Sequence, residues 1–440
     1  MNTNPKAKRP NIIFIVADDL GYADLGCYGG RAPVSPVIDR LASNGIKFTQ
    51  GYSNSSVCSP TRFALMTARY QYRLRGAAEE PINSKSRGSA TLGLPPEHPA
   101  LPSLLKASGY RTALIGKWHM GYAPHFGPLK SGYEEFFGPM SGGVDYFTHC
   151  ASTGIHDLYD GDNEKHETGY LTDLISRRSV DYVNRMAKVD APFFLSMHYT
   201  APHWPWETRD DAALAKKLDG KLFHLDGGNI HTYQRMIHHM DEGIGNIMDS
   251  LKAQGLVDNT LVVFTSDNGG ERFSDNWPLV GGKMDLTEGG IRVPWIAHWP
   301  ATIASGSVST QACMTMDWSA TMIDAAGVRA DADYPLDGIS LLNVLKKPAQ
   351  TFPRPLHWRM NHRGQRAMRD GDWKYLRVDG NDYLFNIPAD ERERANLGNH
   401  QPERLATMRA AWEAWNDTMP PIPADATVSL GYSAKDMPQR

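Results

Sequence analysis

The chain has 440 residues, of which 41% are hydrophobic and 22% are charged, a composition typical of globular proteins and long enough for one large domain plus a smaller one. Its formal net charge of −3 gives no electrostatic reason to expect binding to nucleic acid or to an anionic membrane. The four cysteines, Cys27, Cys58, Cys150 and Cys313, are scattered without a CxxC pair, which excludes a cysteine zinc site and a dense disulfide framework.

The N-terminal sequence MNTNPKAKRPNIIFIVADDL begins like a signal peptide, with basic residues before an apolar run. That run is too short for a signal peptide and ends in two aspartates, so we interpret it as the first strand of the fold. No apolar run approaches the roughly 20 residues that a transmembrane helix needs. We expect a soluble, cytoplasmic protein, or a periplasmic one if a leader has been removed.

Four continuous apolar runs predict buried parallel strands, because a strand covered on both faces need not alternate. Helical patterns separate them: one begins at about Arg62, one spans 100–110, and one with a clear apolar face spans 231–255. Alternating strands and helices predict a doubly wound α/β fold, with a large mixed or parallel sheet flanked by helices. The predicted strands are 11–17, 111–117, 192–198 and 260–266.

The composition changes after about residue 345, where KKPAQTFPRP reads as a proline-punctuated linker. Beyond it, PLHWRM, QRAMRDGDWKYLRV and DYLFNI predict antiparallel strands with a turn at Gly371-Asp372. An amphipathic helix is predicted over 401–419. We therefore expect a catalytic α/β domain over 1–345 and a smaller α+β subdomain over 346–440.

Polar residues follow each of the four predicted core strands. Asp18 and Asp19 end the first strand, and the second ends in Lys117-Trp-His119. His198 ends the third, and Asp267-Asn268 follows the fourth. Ligands of open α/β sheets bind at the carboxyl ends of strands. One such residue would usually be a solvated loop residue, but four strands with polar ends at one edge predict a site.

The candidate residues divide by charge. Asp18, Asp19, Asp267 and Asn268 offer only oxygen ligands, which suits Ca²⁺ or Mg²⁺ better than zinc. The opposite group could neutralise a bound oxyanion and move protons, and a cation beside such a group predicts sulfuryl or phosphoryl transfer. Its members are Arg62, Lys117, His119, His198 and Lys283.

The segment VCSPTRFALMTARY places Cys58 just before Pro60 and the predicted helix start, where backbone N–H groups favour anions. CSPTR matches the C-x-P-x-R signature of the type I sulfatases, a branch of the alkaline phosphatase superfamily, and TARY resembles the T-G-R that follows it. IIFIVADDLGYADLGCYG, TALIGKWHMG, FLSMHYTAPH, VVFTSDNGG, GGKMDLTEGGIRVP and DYLFNIPADERERANLG resemble further sulfatase blocks, in the same order. Ala68 departs from the family, which usually has glycine there, and we expect little effect on maturation.

The resemblance implies an arylsulfatase-like enzyme in which a maturase oxidises Cys58 to Cα-formylglycine, whose hydrate is the nucleophile. It implies that Asp18, Asp19, residue 58, Asp267 and Asn268 hold a cation resembling the family's calcium, with Mg²⁺ possible. One hydroxyl of the hydrate would attack sulfur, and His119 would deprotonate the other to release sulfate.

The remaining roles also follow from the resemblance. Arg62 would orient residue 58, and Lys117 would bridge it and the sulfate. His198 and Lys283 would bind sulfate oxygens and protonate the leaving group.

Two alternatives stay open. A formylglycine-dependent phosphodiester or phosphonate hydrolase of the same superfamily is the nearer one, although those enzymes resemble Asp-His where this chain has Asp267-Asn268. A non-catalytic protein that binds sulfated ligands is disfavoured, because every expected polar position is filled. The physiological ester, aryl, small alkyl or carbohydrate, and the oligomeric state are not readable from the sequence. The same holds for the contributions of His203, Trp204, Trp206 and the 140–165 loop to specificity.

Overall fold

The computed structural model describes residues 9–218 and 228–429. None of the described helices is both long and apolar enough to cross a membrane. The strands are β1 (Asn11–Ala17), β2 (Ile46–Phe48), β3 (Gly51–Tyr52), β4 (Arg111–Gly116), β5 (Glu135–Gly138), β6 (Tyr159–Asp160), β7 (Asn163–Glu164), β8 (Phe193–His198), β9 (Thr260–Ser266), β10 (Trp295–His298), β11 (Ser307–Ser309), β12 (Cys313–Met314), β13 (Leu356–Arg359), β14 (Arg366–Asp370), β15 (Trp373–Val378) and β16 (Asn381–Asn386).

The helices alternate with the strands of the large sheet, as the sequence predicted. They are α1 (Pro36–Ser43), α2 (Cys58–Thr67), α3 (Leu101–Ala107), α4 (Leu171–Met186), α5 (Ala212–Leu218), α6 (Ile230–Ala253), α7 (Glu288–Ile291), α8 (Thr315–Ala325), α9 (Leu342–Lys346) and α10 (Pro402–Asn416).

Ten strands form one mixed sheet in the order β11-β2-β10-β9-β1-β8-β4-β5-β6-β7. The four strands predicted from the apolar runs are its centre: β9, β1, β8 and β4 are neighbours and run parallel. Antiparallel pairs occur at β10 and at the β6–β7 end. This arrangement confirms the predicted α/β fold class.

Both faces of the central sheet are covered, which explains the absence of alternation in the strand sequences. On β1, Ile13 and Ile15 belong to the core on the α4 and α6 side. Ile12 and Phe14 belong to the core on the opposite side, which includes Phe63 of α2. Every residue of β1 is therefore buried, and an apolar run is the pattern that two covered faces require.

The C-terminal strands β13 to β16 form an antiparallel sheet in sequence order, as predicted. Their apolar side chains pack on the segment that carries α2: Leu356 and Trp358 share a core with Val57 and Ala64. The C-terminal sheet is thus held directly against the start of α2. The division of the chain at residue 345 stays a prediction.

Helix α2 begins earlier than expected. The sequence predicts a helix from about Arg62, but the helix starts at Cys58, after Val57 in extended conformation. Pro60 therefore lies in the first turn, where a backbone N–H has no intrahelical acceptor and a proline costs little. Cys58 is the first residue of the helix rather than part of a preceding loop.

Candidate active site

The ends of the four central strands meet at one edge, and the loops that follow them are joined by backbone hydrogen bonds. The Asp267 N–H donates to the Ala17 carbonyl at 3.1 Å, and the Lys117 N–H donates to the His198 carbonyl at 2.8 Å. Lys117 and His119 lie beyond β4, which ends at Gly116, and His119 has a left-handed φ of 60°. Both side chains nevertheless reach this edge of the sheet.

Cys58 lies against the aspartates of β1. Its Sγ is 3.4 Å from Asp18 Oδ1 and 3.8 Å from Asp19 Oδ1. Burial, together with the charge of Asp267, raises the pKa of the Cys58 thiol well above its usual value. The group is therefore a protonated thiol that donates toward carboxylates. Thiolate nucleophiles need the opposite environment, so the position does not favour chemistry by the cysteine itself.

Four potential ligand atoms cluster at the strand ends. Carboxylate oxygens of Asp18, Asp19 and Asp267 and the Cys58 Sγ all lie within 4.8 Å of one another. Asn268 Oδ1 is buried without a hydrogen-bond partner among the described residues, while its Nδ2 donates to Asp19 Oδ1 at 2.7 Å. Burial and the neighbouring Asp267 raise the pKa of Asp18 to about 7, so the charged form of this carboxyl is less stable here than in water. An oxygen-rich set with an unpaired amide oxygen fits a hard divalent cation.

Two buried cations, Arg62 and Lys117, and the partly buried Lys283 contact these carboxylates. Arg62 Nη2 is 2.8 Å from Asp267 Oδ2, and Lys117 Nζ is 2.5 Å from Asp18 Oδ2. Lys283 Nζ is 2.6 Å from Asp19 Oδ2. Burial alone would lower the pKa of Lys283, but the Asp19 carboxylate outweighs it and the pKa lies well above its usual value. Lys283, which also lines the cavity above the cluster, therefore keeps its positive charge beside the carboxylates.

The two predicted histidines differ in what they offer. His119 Nε2 is 2.7 Å from the Ile82 carbonyl, so this nitrogen carries the proton and Nδ1, which has no described partner, presents a lone pair. Burial and Lys117 hold the pKa of His119 well below its usual range. His198 Nδ1 contacts both Arg62 Nη1 at 3.2 Å and the Lys117 carbonyl at 3.1 Å. If Arg62 donates to Nδ1, the proton of His198 is on Nε2.

A cavity of about 750 Å³ opens above this cluster. Cys58, His119 and Lys283 line it, while the other predicted site residues lie beneath its floor. His203 and Trp204 line the wall, but Trp206 is buried against Phe273 instead. The 140–165 loop contributes to the same wall through Ser141, Gly142, Gly143, Ala151 and Ser152.

Arg73 and Arg75 line a separate cavity of about 400 Å³. They pair there with Asp337 and Glu79. They do not contribute to the cavity above Cys58.

Two residues near Lys283 were not among the site residues predicted from the sequence. Glu271 lines the cavity, and its Oε2 is 4.0 Å from Lys283 Nζ. Gln365, from the C-terminal sheet, accepts a hydrogen bond from the Leu286 N–H and donates one to the Met284 carbonyl, both at 2.8 Å. Glu271 follows the DNGG motif closely enough to have been a candidate, but no local pattern marks Gln365.

Ala68, the departure from the glycine of the sulfatase motif, has φ 53° and ψ 25° at the C-terminal cap of α2. This is the left-handed conformation that glycine adopts without strain. The family's glycine is thus explained by the backbone. Ala68 accepts the same conformation 10 residues from Cys58 along the chain, on the opposite end of the helix.

Comparison with known proteins decides the family. The sulfatase family model matches residues 10–328, which is most of the chain and includes all ten predicted site residues. The chain belongs to the sulfatase family. Mouse (Mus musculus) N-acetylgalactosamine-6-sulfatase is 33% identical over 382 residues, covering 82% of this chain and 70% of that protein. Human (Homo sapiens) steryl-sulfatase is 28% identical over 431 residues, covering 78% and 71%.

Solved sulfatase structures share the fold of this sulfatase. A crystal structure of Ps i-CgsB in complex with k-i-k-neocarrahexaose aligns with a TM-score of 0.82 and 33% sequence identity, covering 93% of each chain. A structure of BT4656 in complex with D-glucosamine-2-N,6-O-disulfate aligns with a TM-score of 0.73 at 22% identity. The protein is therefore a sulfatase enzyme that hydrolyses sulfate esters.

Proposed function

We propose that this sulfatase cleaves sulfate monoesters of carbohydrates, with residue 58 matured to formylglycine and a divalent cation bound at the strand ends. The observation that carries the proposal is the position of Cys58, whose Sγ lies 3.4 Å from Asp18 in a cluster of carboxylates that pair with Arg62, Lys117 and Lys283. A protonated, buried thiol in this place has no evident use as a thiol, and its use as the precursor of another group accounts for the position.

The cation would be held by Asp18, Asp19, Asp267, Asn268 and residue 58, with Ca²⁺ favoured over Mg²⁺ because the donor set is rich in flexible oxygens. When bound, it would supply Lewis acidity that lowers the pKa of the nucleophile and neutralises sulfate oxygens. Oxidation of Cys58 by a maturase would supply an aldehyde whose hydrate attacks sulfur. Asn268 Oδ1, which lacks a described partner, supports this assignment without depending on the family.

The side chains of the protein would do the rest. Arg62 lies one helical turn after residue 58 and is fixed by two contacts to Asp267 Oδ2, at 2.8 and 3.1 Å, so it can orient residue 58. Lys117 and Lys283 present charged amines to the sulfate, since each has its carboxylate partner at the strand ends. Such preorganised charges stabilise a transition state without reorganisation during the reaction.

Proton transfer would divide between the histidines and Lys283. His119 Nδ1 offers a lone pair to a hydroxyl of residue 58, because the Ile82 carbonyl fixes the proton on Nε2. His198, in the tautomer that Arg62 favours, would donate from Nε2, while Lys283 lines the cavity where a leaving alcohol would depart. The assignment of Lys283 as general acid agrees with its raised pKa, which keeps it protonated.

A carbohydrate substrate is supported by the wall of the cavity and by the relatives. Trp204 offers an aromatic surface, and hydroxyl and amide groups of Asn83, Ser84, Ser141 and Asn276 line the same cavity. Aromatic rings with a few directed polar groups suit a ring with one apolar face and hydroxyls on its edge. The named relatives include an N-acetylgalactosamine-6-sulfatase and a protein crystallised with a carrageenan oligosaccharide.

The test is sulfate release by protein co-expressed with a formylglycine-generating maturase. N-acetylgalactosamine 6-sulfate, sulfated galactan oligosaccharides and 4-nitrophenyl sulfate are compared, with Cys58→Ala as the blank and Cys27→Ala as a matched control on a half-buried cysteine outside the site. We expect Cys27→Ala to keep full turnover and Cys58→Ala to have none. Turnover of the aryl ester alone would remove the carbohydrate assignment, and turnover by Cys58→Ala would remove residue 58 from the mechanism.

A further inference from the structure

An exposed tryptophan lies directly beside the catalytic cavity and has no part in the reaction described above. Trp277 is 55% exposed, more than any other large hydrophobic side chain of the described residues. The preceding residue, Asn276, lines the cavity, and the chain returns to the cavity wall at Gly281 and Gly282. An indole left in water forgoes a large burial energy, and such surfaces often mark binding sites.

A cation from a distant part of the chain stacks on this ring. The guanidinium carbon of Arg392, in the segment after β16, lies 3.8 Å from the centroid of the Trp277 ring. Arg392 forms no ion pair with any described residue, so its N–H groups are available to an anion. Together the two side chains form what we call the Trp277–Arg392 platform, an indole with a guanidinium over one face of its ring and no ion-pair partner for that guanidinium among the described residues.

Both sides of the platform are fixed by their neighbours in sequence. The Trp277 N–H donates to Asp275 Oδ1 at 3.0 Å, and Asn276 Nδ2 donates across the loop to the Gly281 carbonyl at 3.1 Å. Arg392 precedes Glu393, whose carboxylate is 2.8 Å from the fully buried Lys374. A surface fixed in this way loses little conformational entropy when a ligand binds.

We propose that the Trp277–Arg392 platform is a subsite for a second sugar unit of an anionic oligosaccharide whose sulfated unit occupies the cavity. The apolar face of a pyranose ring would cover the indole, and a sulfate or carboxylate of that unit would receive two N–H groups of Arg392. This inference rests on the proposed function, because it assumes that the cavity takes a carbohydrate sulfate. It makes the preferred substrate a charged chain rather than a single sugar or an aryl ester.

The shape of the site supports this reading. Asn276 lines the cavity and Trp277 follows it immediately, so a sugar unit leaving the cavity on this side meets the platform next. The charge is complementary, since each further unit of a sulfated chain carries an anion and Arg392 has no ion pair within residues 9–218 and 228–429. An uncharged or monomeric ester would gain nothing from the platform, so affinity should depend on chain length.

Isothermal titration calorimetry and competition against 4-nitrophenyl sulfate hydrolysis test the platform. Two series of oligosaccharides, each from two to six sugar units long, are used as ligands: one of sulfated galactan and one of chondroitin 6-sulfate. For the oligosaccharide series that the protein binds, we expect at least fivefold tighter binding of the tetrasaccharide than of the disaccharide. We expect Trp277→Ala and Arg392→Gln each to remove most of this gain, while kcat/KM for the aryl ester stays within twofold.

The controls are Arg394→Gln, an exposed arginine two residues away, and Val308→Ala, an exposed side chain on the edge strand β11. Both should keep the gain with chain length. Binding without any dependence on length in either oligosaccharide series, or an equal loss in platform and control variants, would overturn the proposal. Because calorimetry needs no turnover, a failed hydrolysis assay with intact length dependence would count against the proposed function alone.

Discussion

Gln365 provides a prediction that links the C-terminal sheet to catalysis. It is 1% exposed, and its amide accepts from the Leu286 N–H and donates to the Met284 carbonyl, both at 2.8 Å. Lys283 immediately precedes this clamped segment, and Met284 has a left-handed φ of 76°. We predict that Gln365→Ala releases the segment and moves Lys283 away from its place over the cluster.

The expected size of the effect follows from the two hydrogen bonds. Losing them, and leaving the buried Leu286 N–H without a partner, costs about 2–4 kcal/mol of unfolding free energy. With about 2.1 cal/mol/K of unfolding entropy per residue over 440 residues, about 1 kcal/mol shifts Tm by ~1 °C, so we expect a fall of ~2–4 °C. Displacing a catalytic group by about 1 Å can cost on the order of 100-fold in rate, so kcat/KM should fall about 10- to 100-fold at 25 °C.

Gln311 gives a matched control. It is also 1% exposed, and its amide is hydrogen-bonded to the backbone of Phe352 at 2.7 and 3.1 Å and donates to the Ala312 carbonyl at 2.8 Å. Neither Gln311 nor Gln365 lines the cavity above Cys58. Gln311→Ala should therefore lower Tm by a similar amount and leave kcat/KM for 4-nitrophenyl sulfate unchanged.

A double-mutant cycle separates positioning from general destabilisation. In a Lys283→Ala background, Gln365→Ala should cost less than about threefold in kcat/KM, because the group that it positions is gone. If Gln365→Ala costs as much in that background as in the wild type, or no more than Gln311→Ala does, the positioning role is refuted.

Three further predictions follow from the site and from the helix above it. Calcium at 100 times its Kd should raise Tm by ~3 °C, equivalent to ~2.7 kcal/mol, and Asp267→Asn should abolish this shift. The measurement is differential scanning calorimetry with and without a chelator. An equal calcium response of the wild type and Asp267→Asn would contradict the cation site. Lys283→Ala should lower kcat/KM more for sugar sulfates than for 4-nitrophenyl sulfate, whose leaving group needs no proton, and equal losses would remove the acid role. Ala68→Gly should leave Tm unchanged or slightly raised, because relief of left-handed strain offsets the entropy that glycine adds to the unfolded chain. Ala64→Gly, in the interior of α2, should instead lower the free energy of unfolding by at least ~1 kcal/mol. A similar loss of thermal stability in both variants would contradict the left-handed strain assigned to Ala68.

The central sheet could be predicted from the sequence because its strands are buried on both faces. Strands β1 and β9 have the bounds that their apolar runs gave, and β4 and β8 differ by one residue at one end. The site follows from the same fact. When parallel strands are neighbours, the residues after them meet at one edge, so the sequence alone predicts that Asp18, Asp267 and Lys117 lie together.

Contacts between distant segments left no such pattern. The Gln365 clamp joins residues about 80 positions apart through a side-chain amide, and glutamine has no local signature for this role. The start of α2 differs from the prediction because its first turn includes Pro60, a position at which a helix accepts proline. Trp204 and Trp206 share one motif, yet only Trp204 reaches the cavity, since which side of a loop faces a cavity depends on packing that the sequence does not show.

The most direct test of the account compares two substrates on one matured sample. Protein co-expressed with a formylglycine-generating maturase is assayed with 4-nitrophenyl sulfate and bis-4-nitrophenyl phosphate, after mass spectrometry of the peptide containing residue 58 has established its conversion. We predict that the sulfate monoester is cleaved far faster than the phosphate diester, in proportion to the formylglycine content, and that Cys58→Ala is inactive. Faster cleavage of the phosphate diester, or turnover that does not depend on the conversion of residue 58, would contradict the account.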